Sequence, residues 1–303
     1  MIKKALGCLY GQLIGDAFGC RYEFFNAAKT ANMMKKDSDP NGFIPILGGG
    51  PFGLSPGQVT DDSEMALSLA ASLCRCKSFD AVDVTTAYVQ WAQSGPPDIG
   101  IATAAALTVG VLFQKTIRTE KKAAENKVID NVERHNGGSL SNGCLMRISP
   151  LAVAVSKSSS SMLDAAVEGD CRLTHCNKIC FDAVRVYCHA IGSLLNGSSA
   201  KKAYSDALSY CRTSVVKDVL VAAEGQPKPV KTSCGMVEGD TKCMGYIGVA
   251  LQSAFFELLH ADSFANGILS AVERGGDTDT NGAIVGALLG NLFNIAEVDF
   301  SAW

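Results

Sequence analysis

The chain has 303 residues, 47% hydrophobic and 19% charged, which is enough apolar material for a large buried core. Its net charge of -3 and pI near 5.8 do not show the excess of positive charge that is typical of nucleic-acid-binding proteins. No block of like charge predicts a membrane-binding face. No apolar run approaches the roughly 20 residues that span a bilayer, and the basic start lacks a cleavage site. We therefore expect a cytoplasmic protein.

The first predicted helix combines an apolar stripe with a glycine series. The stripe has the three- or four-residue step of an amphipathic helix, at Ile2, Leu6, Leu9, Leu13 and Ala17. Glycine recurs at every fourth residue, at Gly7, Gly11, Gly15 and Gly19. Each costs roughly 0.8–1 kcal/mol relative to alanine in a helix, so the series predicts close approach of another helix. The last helix has a matching series at Gly282, Gly286 and Gly290, and we expect the two terminal helices to pack together.

The remaining elements also have helical patterns. Residues 36–59 are rich in Gly and Pro and predict a long loop, of the kind that often serves as a lid. Helical patterns follow at 62–76, 80–93, 101–115, 118–134, 150–156, 161–168, 177–195, 199–223, 243–259 and 263–273. Breaks are expected at 137–143 and 225–240. Because no stretch alternates like a strand, we expect an all-α single domain over residues 1–303, and a monomer for want of any oligomerisation signal.

Twelve cysteines are scattered without a CxxC pair, which favours reduced, mostly buried thiols over disulfides in a chain of this length. One group raises the alternative of zinc: Cys171, His175, Cys176, Cys180 and His189. Its spacing matches no standard zinc module, and free cysteine is commonly a core residue. Buried thiols are the preferred interpretation.

Two acidic turns carry the chemistry that the sequence predicts. Thr60-Asp61-Asp62-Ser63 and Gly276-Asp277-Thr278-Asp279-Thr280-Asn281-Gly282 each come directly before an apolar run. If folding brings them together, four carboxylates meet, and each disfavours the ionised form of its neighbours. Two divalent cations bound through oxygen would cancel the four charges. The sequence therefore predicts a two-metal hydrolase.

Two simpler interpretations of these turns exist. Asp61 followed by Glu64 has capping-box spacing, so the acids could only start a helix, which would leave Thr60 and Asp62 without a role. The second turn begins like a calcium-binding EF-hand loop, but its twelfth position is Leu288 instead of glutamate, which rejects that motif. Two helices capped by coincidence remain an alternative.

The chain as a whole, including the two turns, resembles the ADP-ribosylglycohydrolases. This is the family of the dinitrogenase reductase-activating glycohydrolase and the vertebrate ADP-ribosyl-acceptor hydrolases. The resemblance covers essentially the whole chain and rests on five segments in order. They are Gly11 to Gly19 with Glu23, Val59 to Ser63, Ser141 to Arg147, Thr174-His175, and Gly275 to Thr280. It implies a compact orthogonal bundle of helices with two Mg²⁺ ions, or Mn²⁺, between the acidic turns.

The resemblance also assigns site residues. The implied metal ligands are Thr60, Asp61, Asp62, Asp277, Asp279 and Thr280. Glu23 resembles the family's mobile acidic residue and Asp98 a loop aspartate at the site, although spacing alone would single out neither. The catalytic base stays open among Glu23, Asp62 and Asp98. The residues implied to bind substrate are Gly100, Ser141, Asn142, Gly143, Met146 and His175, the last with a satisfied core histidine as the alternative.

The expected activity is metal-dependent removal of ADP-ribose from a modified protein side chain, with arginine the first acceptor and serine the second. The first alternative is a non-catalytic relative that binds ADP-ribose or has a structural, crystallin-like role. Because all six ligand positions carry competent oxygen donors, the enzyme is favoured. A metal-dependent phosphoester hydrolase is a further alternative, which would release AMP instead of ADP-ribose.

Overall fold

Helices dominate the computed structural model, which describes residues 1–108, 121–225, 230–232, 235–237 and 243–295. The first seven are α1 (Ile2–Gly19), α2 (Ala27–Asp37), α3 (Asp61–Cys76), α4 (Ala81–Gln93), α5 (Ile101–Leu107), α6 (Lys121–His135) and α7 (Ser149–Ala154). The others are α8 (Ser160–Cys171), α9 (Lys178–Leu195), α10 (Ala200–Tyr210), α11 (Ser214–Ala222), α12 (Ile247–His260), α13 (Phe264–Glu273) and α14 (Thr278–Leu292). Short 3-10 helices lie at Cys20–Tyr22 and Asn142–Cys144.

The prediction of an all-α fold is confirmed. In the described residues the one sheet is an antiparallel pair of three-residue strands, β1 (Val230–Thr232) and β2 (Gly235–Val237), inside the predicted loop 225–240. Within the same residues, no helix has the length and apolarity needed to cross a membrane.

The two terminal helices, α1 and α14, pack backbone against backbone. A Cβ atom placed on Gly11 would lie 2.1 Å from the carbonyl oxygen of Gly286, and one on Gly15 would lie 2.0 Å from that of Gly282. Both distances are far inside van der Waals contact, so only glycine permits this approach. The predicted close packing of the terminal helices is confirmed.

The packing of α1 against α14 fixes the position of the first turn of α14 relative to the end of α1. At the end of the glycine series the Thr278 hydroxyl donates to the carbonyl oxygen of Gly19 over 2.7 Å. The first turn of α14 therefore lies beside the last turn of α1 and the segment that follows it. On the other side, the Tyr187 hydroxyl of the largely buried helix α9 donates to the Ile284 carbonyl over 2.8 Å.

The helices differ from the sequence prediction at three places. Helix α2 lies where the sequence predicts none, and Asn26 caps it by accepting a hydrogen bond from the Lys29 amide. The predicted helix 199–223 is two helices, α10 and α11. The buried carboxylate of Asp182 on α9 accepts from the amides of Arg212 and Thr213, and this long-range contact breaks the helix. The predicted helix 101–115 ends at Leu107, and residues 109–115 lie outside the described residues.

Candidate active site

The two acidic turns meet at the carboxylate of Asp62. The hydroxyls of Thr60 and Thr280 each donate to Asp62 Oδ2 over 3.2 Å, although Thr280 is 218 residues away in the sequence. The first turns of α3 and α14 therefore face each other, and both carry acids. Helix N-termini favour negative charge, which partly offsets the crowding of these carboxylates.

The capping interpretation of the first turn is wrong. The N-cap of α3 is Thr60, not Asp61, and the Thr60 side chain does not cap the helix. Nor does Glu64 reach back to the N-cap as a capping box requires, because its carboxylate accepts from Trp91 Nε1 over 2.7 Å. The acids of this turn are therefore free for another role.

A buried acid that the sequence did not single out supports the first turn. Asp16 on α1 accepts from the Thr60 amide over 3.1 Å, from the Thr60 hydroxyl over 2.9 Å and from the Ser63 amide over 3.1 Å. Burial raises the pKa of Asp16 to about 6, against the lowering by these bonds. Its sequence signal was a polar pair, Gln12 and Asp16, one turn apart in an apolar helix.

Three carboxylates converge in front of the turns. Oxygen atoms of Glu23, Asp98 and Asp279 lie within 4.8 Å of one another, with Glu23 and Asp279 buried and Asp98 half-buried. Burial, followed by the charges of Asp277, Asp98 and Asp61, raises the pKa of Glu23 to about 9. Burial likewise raises the pKa of Asp61, Asp62 and Asp279 well above the ordinary value, and that of Asp98 and Asp277 to a lesser degree.

Divalent cations fit this donor set. Of the buried side-chain oxygens that have no hydrogen-bond partner among the described residues, three belong to carboxylates: Glu23 Oε2, Asp62 Oδ1 and Asp279 Oδ1. Buried polar atoms normally have partners, and unpartnered carboxylate oxygens are the hard donors that divalent cations prefer. Of the six predicted ligands, Asp279 belongs to the convergent group, and the ligand roles of all six stay predictions.

The cysteine and histidine cluster does not form such a site. Within the described residues, no cysteine or histidine belongs to a convergent group that could hold a metal. Cys171 and Cys180 are buried free thiols, and Cys180 Sγ donates to the Ser139 carbonyl over 3.6 Å. The interpretation as buried thiols accounts for them.

The acids open into a cavity of about 600 Å³, a size typical of small-molecule sites. Eleven predicted site residues line it, namely Glu23, Asp61, Asp98, Asp277, Asp279, Thr280, Gly100, Ser141, Asn142, Gly143 and Met146. Three do not: Thr60 and Asp62 are buried behind the acidic wall, and His175 is fully buried. The cavity also reaches Ile101, Thr103, His135, Met244 and Gly245, which the sequence did not single out.

The 3-10 helix at residues 142–144 is joined to the acidic turn. The side-chain Nδ2 of Asn142 donates to Asp277 Oδ2 over 2.7 Å, and the backbone N–H of Asn142 donates to the Gly245 carbonyl over 3.0 Å. A Cβ on Gly143 would lie 3.3 Å from Thr103 Oγ1 and 3.4 Å from His175 Cε1. A larger residue at this position would therefore press against Thr103 and His175.

A buried polar chain fixes the same segment from behind. Arg147 is fully buried and donates to the Gly143 carbonyl over 3.0 Å, to Thr174 Oγ1 over 2.8 Å and to Asp170 over 3.1 Å. Thr174 Oγ1 lies 2.9 Å from His175 Nδ1, and His175 Nε2 lies 2.7 Å from Ser141 Oγ. Both ring nitrogens of His175 are thus satisfied, and it contacts the cavity wall instead of the cavity.

Phe24 has a strained backbone beside Glu23. Its φ of 65° lies in the left-handed region, where a bulky residue is an outlier and costs about 1–3 kcal/mol. A 2.8 Å hydrogen bond from its amide to the Gly276 carbonyl holds it there. The ring lines the cavity and is half exposed. No sequence pattern indicated this position.

Known proteins resemble the chain over its whole length. The model of the family described as ADP-ribosylglycohydrolase matches residues 1–299. The ADP-ribosyl-dinitrogen reductase glycohydrolase of Rhodospirillum rubrum is 25% identical over 99% of this chain and 88% of its own. The ADP-ribosylarginine hydrolase Tri1 of Serratia proteamaculans is 27% identical over 98% of this chain and 73% of its own. A solved chain described as an ADP-ribosylglycohydrolase-related protein complex shares the fold, with a TM-score of 0.70 and 24% identity over 98% of this chain and 90% of its own.

Proposed function

Because the chain belongs to the ADP-ribosylglycohydrolase family, we propose that it is a metal-dependent hydrolase that releases ADP-ribose from a modified protein side chain. The observation that carries the proposal is the convergence of Glu23, Asp98 and Asp279, with unpartnered buried oxygens, at one end of a nucleotide-sized cavity. Arginine is the first-choice acceptor, in line with the name of the relative from Serratia proteamaculans, and serine the second.

We assign the cations to the oxygen atoms between the two turns. Thr60, Asp61, Asp62, Asp277, Asp279 and Thr280 would hold two Mg²⁺ ions, with Mn²⁺ as the alternative. When bound, such ions would neutralise the carboxylates, orient the ribose hydroxyls and favour ionisation of a nearby water. The unpartnered oxygens of Asp62 and Asp279 support this assignment.

The protein's own carboxylates would handle the proton. Hydrolysis of a glycosidic bond needs a base on the face of the sugar opposite the leaving group. Glu23 and Asp98 line the cavity, whereas Asp62 lies behind its wall and accepts from two threonine hydroxyls. This arrangement favours Glu23 or Asp98 as the base and Asp62 as a ligand.

The remaining wall would bind the rest of the nucleotide. Gly100, Ser141, Asn142, Gly143 and Met146 also line the cavity, and glycine lets backbone N–H groups approach a diphosphate. We assign His175 a positioning role through its contact with Ser141. We further propose that residues 1–303 act as one domain and as a cytoplasmic monomer. The family match over residues 1–299 supports the single domain.

Product identity tests the proposal. Peptides carrying ADP-ribose on arginine or on serine are incubated with the protein and Mg²⁺, and the products are separated by chromatography. We expect free ADP-ribose. AMP would indicate the phosphoester hydrolase, and binding without any product would indicate a non-catalytic ADP-ribose-binding relative.

A further inference from the structure

We propose that Phe24 and Phe52 form an acceptor subsite that holds the guanidinium group of an ADP-ribosylated arginine at the acidic end of the cavity. This inference rests on the function proposed above and names residues that select its substrate. It concerns the leaving-group side of the site, to which no residue has been assigned so far.

The ring of Phe24 is placed for contact with a ligand. It directly follows Glu23, lines the same cavity and is 51% exposed, so the ring is accessible from the cavity. The strained backbone and the hydrogen bond to Gly276 tie this ring to the turn that carries Asp277 and Asp279. Strain of this kind persists where the surrounding structure enforces it, and it is concentrated at binding sites.

Phe52 supports Phe24 from the loop that follows α2. The two ring centroids are 6.3 Å apart with an interplanar angle of 73°, the edge-to-face geometry that aromatic pairs favour. One ring thus fixes the orientation of the other.

The loop that carries Phe52 is itself held in place. Paired backbone hydrogen bonds of 2.7 and 2.9 Å between Gly49 and Leu54 close it, and Arg21 Nη1 donates to the Gly48 carbonyl over 3.0 Å. At Gly50 the backbone passes so close to Cys20 that a Cβ would lie 2.1 Å from the Cys20 oxygen. The loop therefore holds Phe52 in a fixed position against the Phe24 ring.

The acidic end of the cavity favours a positively charged acceptor group. Five carboxylates line the acidic wall, at Glu23, Asp61, Asp98, Asp277 and Asp279, and Asp62 lies behind it. No lysine or arginine lines the cavity in the part of the chain that the structure describes. A positively charged acceptor suits this environment, and a neutral serine hydroxyl gains nothing from it.

The neighbouring ring of Phe25 differs from that of Phe24 because a cation of the protein already covers it. Phe25 carries the ammonium of Lys29 at 3.5 Å from its centroid. Phe24, in the described residues, has no such cation, and the nearby Arg21 is bound to Asp37 over 2.6 Å. Guanidinium groups bind aromatic faces through cation–π attraction and stacking, so the open face of Phe24 fits an arginine side chain.

The test compares four variants on an arginine-ADP-ribosylated peptide. Phe24→Leu removes the ring, Phe24→Tyr keeps it, Phe52→Leu removes its support, and Phe25→Leu is the matched control outside the cavity. We expect Phe24→Leu to lower kcat/KM by about tenfold, mainly through KM, and Phe52→Leu to lower it less. For Phe24→Tyr and Phe25→Leu, kcat/KM should stay within about twofold of the wild-type value, since both variants keep an aromatic ring at position 24. Calorimetric binding of free ADP-ribose should be unchanged in all four.

Two results would overturn the subsite. One is wild-type kcat/KM in Phe24→Leu and Phe52→Leu, and the other is a loss matched by equally weaker binding of ADP-ribose, which would place the ring on the nucleotide. In both cases the wild-type enzyme still hydrolyses the arginine peptide, so the proposed function stands. If instead the wild type releases nothing from that peptide while binding ADP-ribose, the proposed function fails and the subsite fails with it.

Discussion

Asp62 shows how much a single carboxylate can organise in this protein. One of its oxygens accepts from threonines of two distant turns, and the other accepts from no described residue. The paired acidic turns could be predicted from the sequence because acids before apolar runs are visible there. The role of Asp16 left only a weak signal, a polar pair with Gln12 in an apolar helix, and the positive φ of Phe24 left none.

Removing a carboxylate from the turns should abolish turnover. We expect Asp62→Ala and Asp279→Ala each to lower kcat by roughly a hundredfold or more, because even groups that only orient metal ligands contribute 10–100-fold. Asp262→Ala is the control, since Asp262 is exposed and does not line the cavity. Assays at saturating Mg²⁺ with circular dichroism of each variant make the comparison, and full activity of both variants would contradict the ligand assignment.

The buried ion pair of Arg147 and Asp170 should contribute strongly to the stability of the fold. Arg147 and Asp170 are both fully buried, whereas in the pair of Arg75 and Asp83 the arginine side chain is 53% exposed. We expect Arg147→Met to lower the free energy of unfolding by about 3–5 kcal/mol, because it leaves the buried Asp170 carboxylate without its counter-charge. Arg75→Met should cost less than about 1 kcal/mol. Equal effects in urea denaturation would refute this difference.

At the scale of elements, the contact between α1 and α14 positions the site. The glycine period predicted it, since a repeat of costly residues needs a physical reason. The break between α10 and α11 was not predictable, because it depends on Asp182 of α9, about 30 residues away in the sequence. Helix α2 was missed because its start depends on a single capping residue, Asn26. Local patterns reveal helices, and tertiary hydrogen bonds decide their ends.

Two glycines inside helices should respond in opposite directions to the same change. Gly11→Ala should destabilise the protein by about 3 kcal/mol or more, because the new methyl group meets the Gly286 backbone. Gly192→Ala, in the interior of α9, has nothing within 4 Å of the added atom. It should stabilise by about 0.5–1 kcal/mol through helix propensity. Thermal unfolding measures both, and an unchanged melting temperature for Gly11→Ala would contradict the tight packing.

At the scale of the whole molecule, the acidic cavity should make the stability of the metal-free protein depend on pH. The pKa of Glu23 is raised from 4.5 to about 9, chiefly by burial, so the folded protein keeps a proton that the unfolded chain has lost. This stabilisation is complete below pH 4.5 and is lost as the pH rises through 9.

We therefore expect the melting temperature of EDTA-treated protein to fall between about pH 6 and pH 9. Because cations compete with protons for the same oxygens, Mg²⁺ should raise the melting temperature more at the upper end of that range. Glu23→Gln should flatten the dependence in EDTA. A melting temperature that rises with pH in EDTA would contradict this account of the buried acids.

The most direct test of the central claim is the release of ADP-ribose from arginine- and serine-modified peptides, with Mg²⁺ and with EDTA. We predict release from the arginine peptide in Mg²⁺ and its loss in EDTA, with restoration when Mg²⁺ is added back. Undiminished release in EDTA would contradict the metal site, and the absence of release from both peptides in Mg²⁺ would contradict the proposed hydrolase.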